Sequence, residues 1–108
     1  MNSLEMKIKI SNALTGEIVF DEYYAEYPYE DLVTFRTEKQ REMVRYSKTF
    51  PNCQVYFSWR VDSNFNWNFQ YLMPVNQAAD ERAVDTGMMS WQEYTDKWYL
   101  HQETEAAL

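Results

Sequence analysis

Residues 53–61 read CQVYFSWRV and residues 66–73 read NWNFQYLM. In the first run Cys53, Val55, Phe57, Trp59 and Val61 share one face, against Gln54, Tyr56, Ser58 and Arg60 on the other. That two-residue period belongs to a half-buried strand. Asp62-Ser63-Asn64 supplies turn chemistry. The second run sets Trp67, Phe69, Tyr71 and Met73 against Asn66, Asn68, Gln70 and Leu72. Two unbroken alternations joined by a turn predict a β-hairpin with Trp59 and Phe69 facing the core, closed by Pro74.

A second hairpin precedes it. Met6, Ile8 and Ile10 alternate with Lys7, Lys9 and Ser11, and Asn12 to Gly16 turn the chain. Ile18 and Phe20 then alternate with Val19 and Asp21. Pro28 lacks a ladder donor and turns Tyr27 away from helical geometry, so this strand is expected to end near Tyr24, with Ala25–Tyr29 as a loop.

Helices are expected after each hairpin. Residues 30–36 read as helical turn or short strand, with helix preferred. Thr37 and Gln40 have capping-box spacing, and Met43, Tyr46 and Phe50 give a narrow apolar stripe through Thr49. Residues 76–86 read as a loop with one or two helical turns. Ser90 and Glu93 form another capping box, with Met89 placed to staple onto Tyr94. That last helix carries Trp91, Tyr94, Trp98 and His101 on one face, and residues 104–108 are expected to fray. The expectation is one α+β domain over 1–108, ordered ββαββα, an antiparallel sheet of two hairpins with helices on one face. Met6 as an alternative start would make 1–5 an extension.

Aromatics form 18% of the 108 residues, so the chain is expected to fold around a large aromatic core rather than remain disordered. One cysteine excludes an intramolecular disulfide and a cysteine-rich zinc site. No apolar run approaches the roughly 18 residues of a membrane helix, and the N-terminus lacks a secretory pattern; a cytoplasmic location is expected. The net charge is −7, with segments 1–35 and 61–108 acidic and 36–60 basic. An acidic field disfavours phosphate contacts, so Arg36, Lys39, Arg41, Arg45 and Lys48 are expected to pair within the protein, for instance Glu38 with Arg41 and Glu42 with Arg45.

Cys53 and His101 fall on apolar faces, where packing is the expected role for a thiol and an imidazole. The carboxylates of 80–85 lack the alternation and central glycine of a calcium loop. Neither a catalytic residue, a metal nor a cofactor is expected.

What remains is acidic surface. Phe20–Asp31 reads FDEYYAEYPYED, five carboxylates interleaved with aromatics and no basic residue. The candidate contact residues are Glu22, Glu26, Tyr27, Tyr29, Glu30 and Asp31, then Asp80, Glu81 and Asp85, then Glu93, Asp96 and Glu103. Spaced carboxylates imitate the charge of a nucleic-acid backbone, and tyrosines add contact area at low entropic cost.

In size, charge and want of catalytic motifs the chain resembles the small inhibitors of phages and other mobile elements, anti-CRISPR and DNA-mimic antirestriction proteins among them. The resemblance implies a protein of the host cytoplasm that occupies the basic surface of a nucleic-acid-handling complex, without touching nucleic acid or membrane itself. Two other functions fit the same residues. One is a scaffold module joined through its sheet or last helix; the other is a small-molecule domain with an aromatic pocket.

Overall fold

The computed structural model describes residues 2–99. Strands β1 (Asn2–Asn12) and β2 (Ile18–Tyr29) are followed by α1 (Leu32–Thr49). Strands β3 (Cys53–Arg60) and β4 (Asn68–Leu72) then lead into α2 (Val75–Asp85) and α3 (Trp91–Trp98). The fold is α+β. All strand pairs are antiparallel, and the order is β2-β1-β3-β4. β1 thus pairs with both β2 and β3, while β2 and β4 are left as the two edges.

One face of the sheet is covered by α1. Met6, Ile8, Ile10, Val55, Phe57 and Trp59 point to it and are buried with Phe35 and Met43 of the helix. Full burial of each large side chain contributes about 1.5–3 kcal/mol. Asn2–Glu5 are the first residues of β1, and Leu4 is buried in this core. A second, smaller cluster gathers Ala13, Tyr94 and Trp98, with Val84 and Met89 against it. It stands at the β1–β2 turn, where Ala13 N–H donates to Asn52 O and Asn76 N–H to Pro51 O.

Several boundaries differ from expectation. β2 does not stop at Tyr24. It continues through Pro28, which pairs opposite Ser3, because an edge strand tolerates a missing donor on its free side. The register shifts twice: Ala25 and Glu26, between Tyr24 and Tyr27, face Glu5 as a bulge, and Val19 is the extra residue between Phe20 and Ile18.

α1 begins five residues before Thr37. Asp31 is the cap, its carboxylate accepting from Thr34 N–H at 2.8 Å and Thr34 Oγ1 at 2.9 Å. Thr37 is interior, and its hydroxyl donates back to Val33 O. The fully buried stripe is Phe35, Lys39, Met43 and Ser47, with Tyr46 and Phe50 only partly buried beside it. The loop expected at 76–86 is helix α2, ended by Gly87 at φ +81.

The second hairpin holds, but the faces of its return strand are reversed. Register pairs Ser58 with Phe69 and Tyr56 with Tyr71, so Phe69 and Tyr71 are exposed on the sheet's uncovered side, and Gln70 and Leu72 face α1. A one-residue change of phase moves every side chain to the other face. Val61 lies beyond β3 and is exposed.

Candidate functional site

Half of the acidic stretch is architecture. Asp31 spends both oxygens on Thr34, and these hydrogen bonds hold its carboxyl below the usual range. Tyr27 and Tyr29 pack edgewise or tilted on Phe35, at 5.9 and 6.2 Å between ring centres. The Tyr27 hydroxyl accepts from the buried Lys39 ammonium, which also meets Glu42 at 2.9 Å. Burial works against the charge on Lys39, yet the bonds to Tyr27 and Glu42 outweigh it and raise its pKa.

Glu22, Glu26 and Glu30 are different. All three are exposed on β2 or just past its end, and none belongs to an ion pair among the described residues. Asp21 is exposed too, but it stands opposite Lys9 on the other face of the sheet; the rings of Tyr23 and Tyr24 are also exposed. Tyr23 donates to Glu5, which Arg60 also engages at 2.9 Å; the arginine first and then the tyrosine lower the carboxyl pKa of Glu5.

The remaining candidates lie elsewhere. Asp80 accepts from Lys97 at 2.8 Å and from Trp98 Nε1 at 2.9 Å. Glu93 belongs to the α3 cap: its backbone N–H donates to Ser90 Oγ at 3.1 Å, and its carboxylate accepts from that hydroxyl at 3.1 Å. Asp96 accepts from Gln92, while Glu81 and Asp85 are exposed. Trp91, expected on the buried face of α3, is exposed and stacked on Tyr94. His101, Glu103 and the expected fraying of 104–108 lie outside the described residues.

The candidates therefore fall into two groups. The β2 group lies along β1 from Ile8, opposite Glu22, to Asn2, opposite Tyr29, and the α2–α3 group packs at Ala13. Five to eleven residues of chain separate them from Ala13, about 17–36 Å at strand rise. One continuous acidic surface does not form.

Two surfaces differ from what the sequence led one to expect. The uncovered face of the sheet carries Lys7, Lys9, Tyr56 and Phe69 around an open cavity of about 590 Å³. Tyr56 packs on Phe69 and Tyr71 at 5.7 and 5.1 Å, and Trp67 receives Lys7 and Arg60 at 4.3 and 4.5 Å. The alternation of Lys7 and Lys9 was the only signal for it, since the phase of β4 is not readable locally. The other surface is basic. Neither Glu38–Arg41 nor Glu42–Arg45 forms an ion pair; Lys39–Glu42 does. Arg36, Arg41, Arg45 and Lys48 stay exposed and unpaired among the described residues.

Cys53 is buried, and burial followed by the nearby Glu17 raises its thiol pKa, the environment of a packing residue. Among the described residues no group of three His, Cys, Asp or Glu side chains is placed to hold a metal ion. No described helix is long and apolar enough to cross a membrane. Comparison with protein-family models, with curated proteins and with solved structures returned no match.

Proposed function

We propose that this is a non-catalytic interaction protein whose acidic β2 edge occupies the basic, nucleic-acid-binding surface of another protein, as an inhibitor of the anti-CRISPR or antirestriction kind. The observation that supports it is the set of Glu22, Glu26 and Glu30, exposed along a sheet edge that has no further strand beside it and in no ion pair among the described residues. Leaving these three carboxylates unneutralised costs self-repulsion that a basic partner relieves. Charge of this kind speeds association and makes it salt-dependent. Asp31, Asp80 and Glu93 are not part of the contact, because each is committed within the fold.

The test uses the whole protein as bait beside a Glu22→Gln/Glu26→Gln/Glu30→Gln variant. The wild type is expected to retain a nucleic-acid-binding protein at low salt, release it near 0.5 M salt, and block its binding to nucleic acid. A variant that captures and blocks equally well removes the proposal.

A second function rests on the open face. Its exposed Phe69 and Tyr71 beside Lys7 and Lys9 suit a scaffold contact or a flat anionic ligand. Partner binding lost on Phe69→Ala/Tyr71→Ala, and kept by the triple glutamine variant, would favour it.

A further inference from the structure

We propose that the groove between α1 and the free edge of β4 receives an extended acidic peptide segment of a partner protein, added to the sheet as a fifth strand. This site is separate from the β2 edge and does not depend on it.

Three observations converge there. First, among the described residues β4 pairs only with β3, and no described strand lies along its outer backbone groups. Such an edge is a template for a further strand. Second, two cavities run along it, of about 500 and 260 Å³. Arg36 and Arg41 line the first, Lys48 and Arg82 the second, and no carboxylate lines either. None of the four takes part in an ion pair among the described residues. Third, the wall between the cations is apolar: Val33, Val44 and Val75 are exposed there. Gln70 Oε1 faces the same groove, shielded from solvent and without a hydrogen-bond donor.

The dimensions agree. β4 has five residues, about 17 Å of strand. Arg36 to Lys48 covers twelve residues of helix, about 18 Å. A segment of about six residues spans both, its backbone on β4, apolar side chains on the valines and carboxylates toward the arginines and lysine. A nucleic acid would satisfy the cations but offers neither the strand backbone nor the apolar side chains. An acidic peptide supplies all three.

The probe is a fluorescein-labelled, capped hexapeptide Glu-Thr-Val-Thr-Glu-Thr, whose Glu and Val side chains share one face of the strand, followed by anisotropy at 20 mM and 500 mM salt. Its counterparts are the same peptide with Lys in place of Glu and the Glu peptide N-methylated at alternate residues. The acidic peptide is expected to bind at low salt and weaken at least tenfold at high salt. The Lys and N-methylated peptides are expected to bind at least tenfold more weakly, and amide shifts should centre on residues 68–72. Arg36→Glu/Arg41→Glu, both exposed, should cut affinity at least tenfold with circular dichroism unchanged, while Glu22→Gln/Glu26→Gln/Glu30→Gln should leave it intact. Absence of binding, equal binding of the Lys or N-methylated peptide, or indifference to the charge reversal overturns the proposal. So does self-association at low salt that the charge reversal abolishes, which would give this edge to a second copy.

Discussion

The Lys39 ammonium donates to the Tyr27 hydroxyl at 2.7 Å and lies 4.3 Å from the centre of the Tyr27 ring. This one contact ties the middle of α1 to the far end of edge strand β2. It also explains why a lysine sits in the buried stripe of α1: its stem packs among Phe35 and Met43, and its charge ends on Tyr27 and Glu42. Lys39→Met keeps the volume and removes the charge, so its stability is expected within about 1 kcal/mol of wild type. Lys39→Ala empties the site and should cost about 2–3 kcal/mol. Chemical denaturation measures both. Equal costs would mean that the charge, not the packing, anchors the contact.

The reversed hairpin faces give a sharp contrast between two aromatic residues. Trp59 is 7% exposed in the core and Phe69 is 58% exposed on the open face. Trp59→Ala should cost about 3–5 kcal/mol, whereas Phe69→Ala should cost less than about 1 kcal/mol. Comparable losses at the two positions would restore Phe69 to the core and contradict the register.

The α1 cap is tested by comparing Asp31 with Thr37, six residues apart. Asp31→Ala removes acceptors for Thr34 and should cost about 1 kcal/mol. Thr37→Ala removes only a hydroxyl bonded back to Val33 and should be close to neutral. If Thr37→Ala is the costlier change, the helix starts where its capping-box spacing suggested.

Stability should fall at alkaline pH. The Tyr71 side chain is 41% exposed, yet its hydroxyl end is desolvated enough to be raised to about 12, with Tyr56, Tyr99, Tyr94 and Glu81 adding to it. The Lys39 pKa is raised as well. A group whose folded pKa exceeds its unfolded value near 10 holds its stabilisation below that value and loses it as pH rises through the folded one. Denaturation midpoints should therefore hold to about pH 10 and decline toward 12. Tyr71→Phe should remove the latest tyrosinate step in absorbance at 295 nm; an unchanged titration would place Tyr71 in ordinary solvent.

Stability should also fall in acid. Arg60 and Tyr23 lower the pKa of Glu5, Thr34 lowers that of Asp31, and Lys97 followed by Trp98 lowers that of Asp80 against its burial. Depressed carboxyls give stabilisation that is present above the unfolded pKa near 4 and lost as pH falls through the folded values. Denaturation midpoints between pH 5 and 2 measure it, and Asp80→Asn should flatten the decline. A slope unaltered by that change would mean that the Lys97 contact carries no linkage.

The residues themselves determined the elements with strong local signals. Strand periodicity in β1 and β3 placed Met6, Ile8, Ile10, Val55, Phe57 and Trp59 in one core, and all six are buried there. The Ser90–Glu93 cap opened α3 where expected, because a capping box is made within four residues. The α+β class and the antiparallel sheet followed from the two hairpins.

Tertiary structure decided what no window of sequence contains. Pro28 lies in a strand only because β2 is an edge, and the loop before β4, not its own alternation, selected which face meets α1. The charged residues show the same division. Composition marked FDEYYAEYPYED as acidic and 36–48 as basic, but which charges stay free depends on distant partners. Asp31 is used by Thr34, Lys39 by Tyr27 and Glu42, and Asp80 by Lys97. Strand and helix periods are properties of a few consecutive residues; register, edges and the neutralisation of charge depend on segments brought together only when the sheet closes on its helix.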